Sequence, residues 1–340
     1  MVYAVDPLTD GRWDALVASH PHATVFHTRG WLTALARTFG YEPFVLTTTR
    51  QGPLANGLLA CRVRTVVARR DVSLPFSDHC EPLVTDLATL DELVSALREP
   101  LPGRRVRSIE VRPRSGVSMP GLAVGSRYCL HVLDLARPLP SIFAGFDSSN
   151  TRRAVRRAER EGLDYESGQS EHLLSRFFTL FRLTRRRHAA PPQPIAWFRN
   201  LMASLPDAAR LHVASKSGNP VAAMLTLTRG RTMVYKYGGS DASQHRLGGM
   251  PFLFWRVIEA AHADGIQELD LGRSDLSQPG LIAFKDHLGA ARSTLTYSRA
   301  PAAAASANAS PLAVAARRAL TRLPDALFDL SGRMAYRHLG

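Results

Sequence analysis

The sequence predicts an α/β (α+β) chain built from one unit repeated in tandem, followed by a helical tail. Three observations predict it. Two stretches match without a gap at an offset of 166 residues: "WLTALARTFGYEPFVLTTTRQGPLANGLL" from Trp31 and "WFRNLMASLPDAARLHVASKSGNPVAAML" from Trp197. The second half alternates apolar and polar residues through "LHVASKSGNPVAAMLTLTRGRTMVYKYGGS", the period-two pattern of strands. Its elements then run helix, meander, helix, strand, helix, strand, until the low-complexity stretch "APAAAASANAS" reads as a linker.

At the repeat offset Leu35 meets Leu201, Gly52 meets Gly218 and Leu59 meets Leu225, so each copy reads as helix, strand, glycine turn, strand. In the second copy the spacing predicts strands over Leu211–Lys216, Val221–Thr228 and Thr232–Gly238. The turns between them, at Gly218-Asn219 and Arg229-Gly230, are short enough for an antiparallel meander. "PFLFWRVIEAAHADG" predicts a helix with Pro251 in its first turn and Gly265 at its end. "IQELDLG" is a strand, "RSDLSQPG" a loop and "STLTYSR" a last strand. Between the loop and that strand, Leu281, Phe284 and Leu288 stripe a short helix. Upstream, "SNTRRAVRRAEREG" reads as a helix capped by Ser149 or Asn150 and closed by Gly162. In the tail, Leu312, Ala316, Leu320 and Leu323 share a helical face, and Leu327, Phe328 and Met334 extend the apolar set after Pro324. That face suits docking on the body or, with Arg317, Arg318, Arg322 and Arg333, a peripheral contact with an anionic membrane. The expected division is 1–145, 146–299, and a linker with helical tail over 300–340.

The chain has 340 residues, enough for two cores, and a formal net charge of +14, which favours polyanionic partners. Its three cysteines have no metal-ligand spacing and suit reduced thiols in the cytoplasm. No apolar run approaches the ~18 residues that span a bilayer. No Gly-x-Ser-x-Gly elbow, Walker loop or clustered metal set is present, so no metal and no tightly bound cofactor is expected. That pattern favours direct transfer between two bound substrates.

The element order is that of the GNAT acyltransferase fold, and six stretches resemble the FemAB-like family of tandem GNAT-type domains. They are "FHTRGWLTALARTFGYEPFVL", "SLPFSDHCEPLV", "NTRRAVRRAEREGL", "TRRRHAAPPQP", "YKYGGSD" and "LDLGRSD…GLIAFKDHLGA". The resemblance implies an acyltransferase or aminoacyltransferase that acts on an amine acceptor, small or lipid-linked, in cell-envelope or specialised-metabolite synthesis. The donor, aminoacyl-tRNA or acyl-CoA, would be a co-substrate, and tRNA a candidate partner.

Candidate site residues follow from both readings. Lys285 is one of only three lysines, set beside an apolar stripe, and a fixed ammonium stabilises the oxyanion of acyl transfer. The Phe284–Lys285 pair matches the Fem-type Phe-Lys. Tyr235 and Tyr237 would share a strand face and orient a substrate. Arg273 and Asp275 sit in a strand-end loop, where Asp275, or Asp270 before it, is placed to accept a proton. Arg246 and Gly248 precede a helix start suited to anions, although the glycine spacing departs from the acetyl-CoA motif. Arg153, Arg186 and His188 lie in two basic clusters suited to phosphates. Asp78 lies in the second family stretch, and the resemblance assigns it to substrate.

Overall fold

The computed structural model describes residues 1–64, 69–99, 108–301 and 320–338. The chain forms two compact units. The first takes Met1–Tyr128, the strand residues from Thr294 and the chain end from Arg333; the second takes Cys129–Ser293 and the segment ending at Gly332. The predicted tail helix up to residue 319 and most of the Ala300–Ser310 linker lie outside the described residues.

The first unit contains β1 (Tyr3–Val5), α1 (Gly11–Ser19), α2 (Arg29–Phe39), β2 (Glu42–Thr47), β3 (Leu58–Arg64), β4 (Arg69–Val72), α3 (Leu87–Arg98) and β5 (Ser108–Val111). The second contains β6 (Ala123–Asp134, from Cys129), α4 (Leu139–Ala144), α5 (Thr151–Arg160), β7 (Asp164–Gly168), α6 (Glu171–Arg187), α7 (Ile195–Ser204) and β8 (Ala209–Lys216). It continues through β9 (Asn219–Arg229), β10 (Thr232–Ser240), α8 (Gly249–Ala263), β11 (Glu268–Asp275) and α9 (Pro279–Asp286). β12 (Ala291–Ala300) then returns to the first unit, and α10 (Asp325–Tyr336) ends the described chain.

The duplication shows in the sheets. The first unit orders its strands β1-β2-β3-β4-β5-β12, and the second β7-β8-β9-β10-β11-β6. In each, three antiparallel pairings are followed by one parallel pairing, β4 with β5 and β10 with β11. Trp31 is the third residue of α2 and Trp197 the third of α7; each helix leads into a strand, and each indole is 0% exposed. The repeated tryptophan therefore fills the same place in each unit's core.

Local chemistry explains the element ends. The β8–β9 hairpin turns on Ser217-Gly218, one residue before the expected pair, because both residues adopt positive φ (49° and 79°). α5 is not capped by Ser149 or Asn150 side chains. Asn150 holds the N-cap position without a side-chain bond, and Asp147 fixes the approach by accepting from Ser149 Oγ at 2.9 Å and from Asn150 N at 2.7 Å. Gly162, at φ 65°, closes the helix as expected. The second unit's core runs under α8, where Phe252, Leu253, Val257 and Ile258 pack on Ala222, Met224 and Leu269. α10 opens against α6 in that unit: Arg186 donates to the carbonyls of Thr321 and Leu323, both at 2.7 Å, and its guanidinium stacks on buried Phe328.

Gly239 shows how closely α6 approaches β10. A Cβ there would lie 2.5 Å from Leu180 C and Phe181 N, which are backbone atoms. Gly239→Ala is expected to cost about 1–3 kcal/mol through overpacking. Gly11→Ala, with open space around its Cβ, serves as the control. Denaturant melts of the two variants check this, and equal midpoints would contradict the packing described.

Candidate functional site

A cavity of about 410 Å³ opens in the second unit. Its walls are the end of β10 (Tyr235, Gly238–Ser240), the turn through Gln244 and His245, the start of α8 (Gly249–Pro251), the end of α6 (Thr184, Arg187, His188) and α9 (Leu281, Phe284). One end is aromatic and the other is cationic.

The aromatic end depends on a bulge. β10 pairs Tyr235 with Thr226 and Tyr237 with Leu225 of β9, so Lys236 is the extra residue. This overturns the expectation that Tyr235 and Tyr237 share a face. Tyr235 turns toward α8, edge-on to Phe254 at 4.9 Å, and lines the cavity. Tyr237 turns toward α6 and α7, where its hydroxyl accepts from Trp197 Nε1 at 3.0 Å between Phe181 and Phe198. Tyr237 is a core residue and does not line the cavity. Gly238 makes room for its neighbour, since a Cβ there would meet Tyr235 Oη at 2.1 Å. Burial pushes the Tyr235 phenol up to about 12, so it stays a neutral donor.

The cationic end takes His188, as expected, and Arg187 from the same basic cluster, and adds Ser240 and His245, which sequence patterning did not single out. Arg187 Nη1 lies 3.5 Å from both Ser240 O and His245 Nε2, and Ser240 Oγ is 3.0 Å from the same imidazole nitrogen. Burial and then Arg187 hold His245 below its ordinary pKa; burial and the flanking arginines do the same to His188. Both rings are thus neutral at pH 7 and ready to gain a proton when an anion enters. Gly248, in the left-handed region at φ 75°, starts α8 without a side-chain cap. The first N–H groups of α8, at Gly249 and Met250, belong to residues on the cavity wall.

α9 presents Leu281 and Phe284 to the cavity, and Phe284 packs on Phe254 at 5.6 Å. Lys285 is 3% exposed and turns the other way, toward β11. Its Nζ donates to Gly272 O at 2.8 Å and to Arg273 O at 3.3 Å, where Gly272 bends the strand end at φ 70°. Asp275 is exposed and caps its own loop, accepting from Ser277 N at 2.9 Å and Oγ at 2.7 Å. Those bonds lower its pKa, which makes it a weak proton acceptor. Buried Asp270 accepts from Gly272 N at 2.7 Å and so shapes the same bend.

The other candidates scatter. Arg246 is exposed, and its carbonyl receives Arg157 from α5 at 2.9 Å, while Arg153 stands exposed on that helix. Arg186 is engaged by the tail segment, with a further bond to Asp325 at 2.9 Å, and gives way to Arg187 at the cavity. Asp78 belongs to the first unit, where its carbonyl accepts from Tyr297 Oη at 2.6 Å. Consecutive arginines at 185–187 lie ~100° apart around α6. Only the packing of α6 decides which one reaches the cavity, and no sequence signal carries that.

Comparison with known proteins gives the same frame. Residues 148–286 match the Acetyltransferase (GNAT) domain model. A UDP-N-acetylmuramoylpentapeptide-lysine N(6)-alanyltransferase of Weissella viridescens is 31% identical over 112 residues. The match spans 32% of this chain and 33% of that protein, about a third of its length. Among solved structures, that of FemX superposes with a TM-score of 0.67 at 14% identity, covering 87% of this chain and 96% of that one. A tandem GNAT protein from the clavulanic acid biosynthesis pathway superposes with a TM-score of 0.53 at 11% identity, covering 90% and 99%. The fold is that of tandem GNAT structures, and residues 148–286 carry the GNAT domain match. Over about a third of its length the sequence is similar to that alanyltransferase, and its fold is similar to that of FemX.

The two neighbouring arginines separate site from scaffold. Arg187→Gln is expected to weaken binding of inorganic pyrophosphate about tenfold by calorimetry, with little change in melting, as for loss of one charge-assisted bond. Arg186→Gln should do the reverse, lowering the melting temperature while leaving pyrophosphate affinity alone.

Proposed function

We propose that the chain transfers an acyl or aminoacyl group to an amine, on a cell-envelope or specialised-metabolite precursor. One observation carries the reading: a single cavity joins an aromatic wall (Tyr235, Phe284) to an anion-receiving end (Arg187, His245, the α8 start), with a buried lysine directly after Phe284. Aminoacyl-tRNA and acyl-CoA both carry a reactive acyl group and phosphates on one molecule, and that division of the cavity suits either. The alanyltransferase relative favours the aminoacyl donor. The donor is a co-substrate, and the acceptor is a small or lipid-linked amine.

In this reading the amine attacks the acyl carbonyl, the carbonyl oxygen becomes an oxyanion, and the ester or thioester bond then breaks as the carbonyl re-forms, the tRNA hydroxyl or CoA thiol leaving with the proton that the amine gives up. Arg187 and the α8 N–H groups hold the donor phosphate. The Tyr235 hydroxyl orients the acyl or acceptor group from the apolar wall. Lys285, held behind Phe284 by the Gly272 and Arg273 carbonyls, does not line the cavity and supplies its positive charge to the oxyanion through space. The +14 net charge and the arginines of α5 draw in a polyanionic donor, tRNA included. Leu327 and Leu330 stand 50% and 46% exposed on α10, and the tail is the element we assign to peripheral contact with an anionic membrane. No helix among the described residues is long and apolar enough to cross one.

Lys285→Met tests the proposal. Transfer should fall by about 2–4 kcal/mol in barrier, in kcat as well as kcat/KM, as for loss of electrostatic stabilisation of the oxyanion. Mass spectrometry of products from aminoacyl-tRNA and acyl-CoA mixtures reads the activity, beside a thermal melt. A variant that melts normally and turns over normally would sink the role of Lys285.

A further inference from the structure

Lys285 is held by more than its own bonds. α9 is eight residues long, and its cavity half is only partly covered, so the placement of its last turn rests on the next residue, Asp286. That carboxylate has two partners from different strands. His131 Nε2 of β6 donates to Asp286 Oδ1 at 3.2 Å, and the Arg292 guanidinium of β12 grips both carboxylate oxygens. His131 is 0% exposed, on the strand that neighbours β11, which carries the Lys285 carbonyl acceptors.

We propose that His131 is a positioning residue for Lys285, acting through Asp286 to fix the last turn of α9 and hence the seat of the ammonium. The inference rests on the transfer reading above. The charge pattern is consistent with it. Burial lowers the His131 pKa against the opposing pull of Asp286, and the nearby Lys285 and Arg292 cations lower it further. The ring is therefore neutral at pH 7 and holds one N–H, which it gives to Asp286 at Nε2. Asp286 in turn is kept ionised, by Arg292 first and by His131. Cys129, two residues earlier on the same face of β6, places Sγ 3.7 Å from Nδ1 and backs the ring. His131 holds the carboxylate from inside the core, whereas Arg292 holds it from an exposed position.

The test uses the chain's three lysines as its own ruler, because Lys216 and Lys236 are internal standards for amine labelling. Amine-reactive acetylation at pH 8, mapped by mass spectrometry, should label Lys285 slowly in the wild-type protein, given its burial. In His131→Ala, Lys285 labelling should rise about tenfold toward that of Lys216, with both standards unchanged. kcat should fall about tenfold or more with KM within about twofold, as for a reacting group displaced by a fraction of an ångström. His131→Gln keeps an N–H near the Nε2 position and should restore both protection and turnover. Lys285 remaining protected in His131→Ala would overturn the proposal, and so would a Gln variant as impaired as Ala. If His131→Ala melts early, the Gln variant and its labelling decide. Labelling needs no substrate, so the positioning claim stands or falls even if wild-type protein transfers nothing, an outcome that would defeat the transfer reading alone.

Discussion

The one-residue bulge at Lys236 is the constraint on which the second unit depends. Strands alternate their side chains, and an extra residue reverses the alternation for everything beyond it. Here the reversal sends Tyr235 to the α8 face and Tyr237 to the α6 and α7 face. Each phenol then has a separate task. The first forms the wall of a cavity; the second satisfies the buried indole N–H of Trp197, which would otherwise lose a bond inside the core. Gly238 and Gly239, immediately after, let the strand pass between the Tyr235 hydroxyl and the α6 backbone. Bulge, glycine pair and tryptophan are one packing solution.

Charge is sorted with similar economy. Of the consecutive arginines at the end of α6, Arg186 clamps the tail segment and Arg187 meets Ser240 and His245 at the cavity. A lysine serves behind Phe284 because a compact ammonium fits two carbonyls at a strand bend, where a planar guanidinium needs a wider fork of acceptors. Asp270 and Asp275, both attractive as proton acceptors on paper, are spent on shaping that bend and its loop.

Much of the fold was legible because its signals are local or repeated. The gapless match between Trp31 and Trp197 foretold two helices with the same continuation, and the strands of the meander fell within a few residues of the predicted spans. The α8 start, the α9 stripe and the Gly162 stop were equally readable from glycine, proline and period. The site was only half legible. Phe284, Tyr235 and His188 line the cavity as expected, but Tyr237 does not, because a bulge leaves no mark in a string of alternating residues. Arg187, His245, Thr184 and Ser240 meet only after α6 packs on β10, a contact between residues more than fifty positions apart. His131 and Asp286 are separated by 155 positions, beyond any local pattern.

The division of the two tyrosines is the claim most directly open to measurement. Tyr235→Phe and Tyr237→Phe remove the same atom from the same strand, so paired melts and substrate titrations compare them fairly. Tyr237→Phe should lose about 1–3 kcal/mol of stability, from the lost bond to the Trp197 N–H, and leave substrate affinity unchanged. Tyr235→Phe should leave the melt unchanged and weaken substrate binding or turnover. The reverse outcome, a stability loss at Tyr235 and a binding loss at Tyr237, would contradict the bulge as the feature that builds the site.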